Sequence, residues 1–91
     1  MIIHKYVIDS AVSRYFLNLP KNSEILSVQN QKEKLCVWVK IEDPTETEEE
    51  LHILRVVMTG NEDIKYPAMC FIGTVQMAQG AVVLHIFEEM Q

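Results

Sequence analysis

The sequence predicts an all-β domain, a small antiparallel sheet or sandwich of six or seven strands with room for one short helix. Short apolar runs rich in β-branched residues recur at close spacing, and clusters of Pro, Asn, Asp and Gly separate them. The last third of the chain reads as a hairpin of two such runs. A length of 91 residues corresponds to a single domain covering residues 1–91.

The first two elements lie on either side of Asp9-Ser10. Residues 2–8 have the β-branched and aromatic composition of a strand, and Asp9-Ser10 marks a turn. Residues 12–19 predict a second strand that ends at Pro20. An alternative stays open here, because Ser10 would also serve as the N-cap of a short helix over residues 11–17.

The middle of the chain predicts three more strands, over residues 24–29, 35–41 and 51–58. In the fourth strand one face is apolar, whereas Cys36, Trp38 and Lys40 form the other. The fifth strand is apolar on both faces. After it, Asn61 is positioned to cap one helical turn through Lys65.

The closing hairpin pairs residues 70–77 with residues 81–88 and places Gly80 in the turn. Both strands carry apolar side chains on each face, and one small chain has few layers with which to cover two faces. The sequence therefore predicts a homo-oligomer. Gly73 lies inside a strand, where glycine indicates a bulge or the close approach of another backbone or a ligand.

Composition excludes several functional classes. The net charge of −5 argues against general nucleic-acid binding, which needs Lys and Arg to neutralise phosphates. Six of the 13 carboxylates fall in residues 42–50, which predicts a solvated acidic loop. The sequence has neither an apolar run of membrane-spanning length nor a signal-peptide core, so a cytoplasmic protein without a membrane partner is expected.

The residues that usually carry catalysis or bind metals form no motif. His4, His52 and His85 have no metal-binding spacing, and Cys36 and Cys70 lack a partner at the short interval that zinc sites use. Both cysteines lie in apolar runs, which favours buried free thiols, although a disulfide stays open. A non-enzymatic protein without a cofactor or a metal is the resulting expectation.

A small set of residues is suited to binding a nucleotide-like ligand between subunits. Trp38 would stack on a base, Arg55 and His85 would bind phosphate, and Gly73 would let the ligand approach the backbone. Thr74, next to Gly73, completes this set. The other basic residues are scattered along the sequence. For His85, the alternative interpretation is a half-buried imidazole with a purely structural role.

The order of several short segments resembles a family of small uncharacterised proteins of tailed bacteriophages and prophages. The resemblance is carried by Lys5-Tyr6-Val7-Ile8, Pro20-Lys21, Ile25-Leu26-Ser27-Val28-Gln29, Cys36-Val37-Trp38-Val39, Thr59-Gly60, Phe71-Ile72-Gly73-Thr74-Val75-Gln76 and Gly80-Ala81-Val82-Val83-Leu84-His85-Ile86-Phe87-Glu88. The resemblance implies a phage gene product in the host bacterial cytoplasm and brings no established activity. At Phe71 the family often has tyrosine.

Three functions follow as expectations. The first is a phage accessory protein that sequesters a cyclic nucleotide or another small nucleotide signal of host defence between its subunits. The second is a protein–protein module that inhibits or adapts a host or phage protein, through a sheet edge or through the acidic loop at residues 42–50. The third is a minor structural or assembly protein of the virion.

Overall fold

The computed structural model describes residues 1–61 and 68–90, and within them the chain forms seven strands in two antiparallel sheets. This confirms the predicted fold class. A 3₁₀ turn over Ala78–Gly80 joins the last two strands. The strands are β1 (Ile2–Ile8), β2 (Arg14–Pro20), β3 (Glu24–Gln31), β4 (Lys34–Ile41), β5 (Glu49–Met58), β6 (Met69–Met77) and β7 (Val82–Glu89).

The two sheets pack face to face around one apolar core. The three-stranded sheet has the order β1-β4-β3, and the four-stranded sheet has the order β2-β5-β7-β6. Alternate residues of each strand point inward, as the pleat requires. The buried cluster between the sheets consists of Ile8, Leu19, Val28, Leu35, Val37, Val39, Ile41, Leu54, Val56, Val75, Met77, Leu84 and Ile86.

The second element is a strand, and the helical alternative over residues 11–17 is wrong. β2 pairs with β5 along its whole length, from Arg14 opposite Arg55 to Pro20 opposite Glu49. Leu19 is fully buried in the core, while Phe16 on the other face is exposed. Residues three apart lie on opposite faces of a strand, as these two do, whereas in a helix they would lie on the same face.

Several strand boundaries differ from the predicted ones. β2 begins at Arg14 rather than at residue 12, β3 continues to Gln31, and β5 begins at Glu49, within the predicted acidic loop. The extension of β5 follows from its pairing with the end of β2. The helical turn predicted from Asn61 falls on residues 62–65, which lie outside the described residues.

Gly73 lies where the two sheets come closest at one edge. The register of β6 against β7 shifts between Phe71 and Gly73, so the predicted bulge is confirmed. A Cβ atom at Gly73 would lie 2.9 Å from Cγ1 of Val28 on β3. The missing side chain therefore allows β6 to approach β3, which is the close-packing interpretation of this glycine.

Replacing Gly73 by alanine is expected to destabilise the fold by about 1–3 kcal/mol, because the added methyl overpacks the core against a stiff β-branched side chain. Val28→Ala in the same chain should recover part of that loss, since it removes the Cγ1 atom that the new methyl meets. Urea unfolding of the two single variants and the double variant measures this coupling. If the change in the free energy of unfolding of the double variant equals the sum of the changes in the two single variants, the contact is contradicted.

Candidate functional site

The outer face of the four-stranded sheet brings cationic and aromatic side chains into one row. The strand registers place Arg14 opposite Arg55, Arg55 opposite Phe87, and Phe87 opposite Phe71, across β2, β5, β7 and β6. Phe16 lies two residues further along β2, opposite Ile53. We call this surface the aromatic face. Within the row, β2 and β5 contribute the guanidinium groups and β7 and β6 contribute two phenyl rings, whereas the ring of Phe16 lies at the β2 end.

The aromatic rings of this face are incompletely covered. Phe16 is 54% exposed and Phe71 is 56% exposed. The rings of Phe71 and Phe87 meet edge to face with their centroids 5.4 Å apart. The guanidinium carbon of Arg14 lies 5.1 Å from the centroid of Phe16, in cation–π contact.

One carboxylate holds the two arginines of the aromatic face. Glu89 accepts hydrogen bonds from Nε and Nη2 of Arg14 at 2.8 and 2.9 Å, and from Nη1 of Arg55 at 3.2 Å. Arg55 is only 7% exposed. The hydrogen bonds from Arg14, followed by those from Arg55, lower the pKa of Glu89 below its ordinary value of 4.5. The carboxylate therefore holds both guanidinium groups on this face of the sheet.

Glu89→Gln is expected to lower the stability at neutral pH by about 1 kcal/mol, because the charge-assisted hydrogen bonds become neutral ones. The pKa of Glu89 is lowered on folding. The difference in the free energy of unfolding between the wild type and Glu89→Gln is therefore complete above about pH 4.5 and declines as the pH falls further. Urea unfolding at pH 7 and pH 3 measures both proteins. A difference in the free energy of unfolding that does not shrink at pH 3 would contradict this assignment.

His85 lies next to the aromatic row and binds two hydroxyls. Its Nε2 is 2.7 Å from Oγ1 of Thr59, and its Nδ1 is 2.9 Å from Oγ1 of Thr74. A neutral imidazole donates from one nitrogen and accepts at the other, so one threonine donates its hydroxyl proton and the other accepts. The two hydroxyls fix the plane of the imidazole ring, as a residue that positions other groups on this face requires.

A second histidine lies at the end of the same sheet, on its inward side. Nδ1 of His52 is 2.5 Å from a carboxylate oxygen of Glu88, and the two side chains are 12% and 23% exposed. The pair borders a groove of about 380 Å³ with Glu50, Leu51, Glu89 and Met90. His52 thus forms a largely buried pair with the last strand, β7.

The outer face of the three-stranded sheet carries a different chemistry. Trp38 is half-buried there, and its indole N–H donates to Oε1 of Gln29 at 3.0 Å. Lys5 lies directly opposite Trp38 in the register of β1 with β4. Beside them is a groove of about 540 Å³, which we call the basic groove, lined by Lys5, Val7, Gln31, Lys32, Lys34 and Cys36.

The structure separates the predicted ligand residues into three places. Arg55, Thr74 and His85 lie together on the aromatic face, as their registers require. Gly73 pairs with the buried Ile86 and so faces the core. Trp38 lies on the outer face of the other sheet, because its neighbours along β4 belong to the core.

Sequence patterns did not identify several residues of these surfaces. Arg14, Phe16, Phe71 and Glu89 were unassigned because their proximity depends on pairing between strands that are distant in sequence. Alternation within β2 and β6 is the signal that would have placed the two phenylalanines on outward positions.

The two cysteines are free, and their environments differ. Cys36 is buried, as the sequence predicts, whereas Cys70 is exposed, so the prediction of a buried thiol is wrong there. Cys70 lies on β6, which is an edge strand of the four-stranded sheet within the described residues.

Among the described residues, no group of three or more His, Cys, Asp or Glu side chains is arranged to hold a metal ion. No helix within the same residues is long and apolar enough to cross a membrane.

Comparison with known proteins gives a family without an activity. A protein-family model, described as a domain of unknown function (DUF7352), matches residues 1–91. No curated protein and no solved structure matches the chain. The function must therefore be inferred from the surfaces.

Proposed function

This chain belongs to the DUF7352 family of domains of unknown function, and we propose that it is a non-enzymatic binding module that pairs with a second copy of itself. The surface that it uses is the aromatic face. The observation that carries this proposal is the row formed by Arg14, Arg55, Phe87 and Phe71 across the four strands.

The composition of the aromatic face is that of a protein interface. Interfaces are enriched in aromatic residues and Arg and depleted in Lys. The four strands of this sheet contain three phenylalanines and two arginines but no lysine. Two of those phenylalanines, Phe16 and Phe71, expose more than half of their surface, which favours burial by a partner.

The row is complementary to itself when two copies are related by a two-fold axis. An axis that runs parallel to the strands, between β5 and β7, brings the β2 side of one copy over the β6 side of the other. Arg14 then meets Phe71 of the second copy, so its guanidinium faces a phenyl ring in a favourable cation–π arrangement. Arg55 is only 7% exposed and is too buried to make such a contact.

The size of the face sets the expected affinity. Four strands at about 4.8 Å spacing and about seven residues of length give roughly 440 Å² of projected sheet in each copy. Pairing buries about 900 Å² in projection and somewhat more in accessible area, close to the roughly 1,000 Å² that a specific interface requires. A reversible dimer with a micromolar dissociation constant is therefore the expected assembly.

Sedimentation equilibrium between about 1 and 100 μM tests this proposal, since that range brackets the expected constant. The weight-average mass should rise from the monomer value of 10.5 kDa to twice that value. A constant monomer mass up to the highest concentration would overturn it, and so would masses that keep rising beyond the dimer.

The biological setting is part of the proposal. The resemblance to phage proteins supports an accessory protein that acts by occupancy in the host cytoplasm. Arg55, Thr74 and His85 lie on the aromatic face, so pairing would enclose a ligand that they bind, in keeping with the sequestration of a nucleotide signal. Trp38 lies outside such a dimer.

A second candidate function uses the same surface on a different protein. The exposed Phe16 and Phe71 would serve equally as anchors for a host or phage protein. The two functions separate by experiment: a monomer that captures one partner in a stoichiometric complex favours this candidate, whereas a dimer that captures none favours self-pairing.

A further inference from the structure

We propose that the basic groove and the adjacent Trp38 form a binding site for a nucleotide, a phosphorylated small molecule with an aromatic base. The site lies on the outer face of the three-stranded sheet, away from the aromatic face, and does not depend on pairing. The lysines would bind phosphate oxygens, and the indole would stack on the base.

The fold gathers three lysines that make no ion pair within the part of the chain that the structure describes. Lys5, Lys32 and Lys34 all line the basic groove. The other described cationic side chains each meet a carboxylate within 4.0 Å; they are Arg14, Lys21, Lys40 and Arg55. Three neighbouring ammonium groups without counter-charges repel each other, and a bound phosphate would relieve that repulsion.

The carboxylates nearest in sequence are occupied elsewhere. Glu33, between two of the lysines, accepts hydrogen bonds from the backbone N–H of Ala78 at 2.8 Å and from the side chain of Asn30 at 3.3 Å. It therefore reaches toward β6 and the turn that follows it. Asp9, which follows β1, accepts from the backbone N–H of Ala11 at 2.8 Å. Neither of these carboxylates therefore offsets the charge of the three groove lysines, although the net charge of the chain is −5.

The turn that carries Lys32 has an unfavourable backbone for its residues. Lys32 and Glu33 have φ angles of 52° and 63°, and they join β3 to β4 as a two-residue hairpin turn. Asn-Gly is the preferred pair in such a turn, because both positions need a positive φ. A lysine there places an ammonium group at the groove at a cost in backbone strain, which is typical of functional positions.

Trp38 supplies the other half of the site. Lys5 lies directly opposite it, and Cys36, which lines the groove, is two residues before it on the same face of β4. The bond from its indole N–H to Gln29 fixes the ring next to the groove. A stacked base on such a ring places its phosphates within reach of the lysines, and stacking tolerates any base.

The fluorescence of Trp38 tests this site directly, because the sequence contains one tryptophan. Adenosine diphosphate is the probe, with adenosine and inorganic pyrophosphate as its two halves. Saturable quenching by adenosine diphosphate is expected, with each half binding about tenfold or more weakly. The affinity should fall as salt is raised, because the phosphates displace counterions.

Three variants locate the site. The double variant Lys5→Gln/Lys34→Gln should weaken binding of adenosine diphosphate about tenfold or more, because it removes two charge-assisted contacts. Lys21→Gln is the matched control, since Lys21 pairs with Glu48 away from the groove and its loss should leave binding unchanged. Lys32→Asn separates folding from binding: asparagine suits a positive φ, so the protein should be equally or more stable and yet bind more weakly.

The contrary results are equally specific. An absence of quenching up to millimolar adenosine diphosphate would overturn the site, and so would equal affinities for the double variant and for Lys21→Gln. Pyrophosphate that binds as tightly as adenosine diphosphate without changing the fluorescence of Trp38 would overturn the nucleotide assignment. A monomeric protein that passes these tests would refute self-pairing and leave this site standing.

Discussion

Replacing Phe71 by lysine is expected to weaken dimerisation about 100-fold or more, so that the protein sediments as a monomer at concentrations where the wild type pairs. Phe71 is 56% exposed in the single chain, so its loss should cost the monomer little. In the proposed dimer each Phe71 faces Arg14 of the other copy. A lysine there removes two rings that pairing would bury and introduces two pairs of like charges, and the loss of aromatic anchors is among the costliest changes in an interface.

The geometry also predicts that the sign of the new charge matters. Phe71→Glu removes the same ring but places a carboxylate opposite Arg14 of the second copy, so part of the lost affinity should return as an ion pair. Sedimentation equilibrium should therefore rank the dissociation constants in the order wild type, Phe71→Glu, Phe71→Lys. A matched control is Leu26→Lys, which changes an exposed apolar residue of the other sheet and should leave the dimer intact.

Three results would contradict the proposed pairing. A Phe71→Lys protein that dimerises as the wild type does would exclude the aromatic face. Equal weakening by lysine and glutamate would keep the face but exclude the axis between β5 and β7. Dissociation by Leu26→Lys would move the interface to the three-stranded sheet.

The strands could be predicted from the sequence because their information is local. β7 shows this well: Leu84 and Ile86 point to the core and His85 and Phe87 point away from it, as a period of two requires. Gly73 was also informative on its own, because a glycine inside a strand implies something close to its missing side chain, and Val28 is that neighbour.

The aromatic face and the basic groove could not be predicted, because each is formed by residues that are distant in sequence. The row on the aromatic face joins residues from four strands whose order is β2-β5-β7-β6, and composition does not reveal which strands are neighbours. The same holds for the basic groove, in which Lys5 from β1 meets Lys34 from β4 only after the sheet has formed. Trp38 and Arg55 were assigned to one site because a cation beside an aromatic ring is a usual way to hold a base and its phosphate, yet their strands belong to different sheets.

Arg55→Ala is expected to lower the free energy of unfolding by about 3 kcal/mol, which would be a large fraction of the stability of a domain of this size. Arg55 lies at the centre of the four-stranded sheet with a side chain only 8% exposed, and it donates to Glu89. Truncation to alanine leaves a cavity where the aliphatic stem packs, and it removes one of the two cations that hold this carboxylate. Urea unfolding at pH 7 measures the loss.

Two further variants separate packing from charge at this position. Arg55→Met keeps most of the stem and loses the guanidinium, so its loss of stability should fall between that of the wild type and that of Arg55→Ala. Arg14→Ala removes the other cation that binds Glu89, but from a side chain that is 45% exposed, so a much smaller change is expected. If Arg55→Ala unfolds at the same urea concentration as the wild type, the buried pair has no structural role. The guanidinium would then be assigned to ligand phosphate, as the sequence alone had suggested.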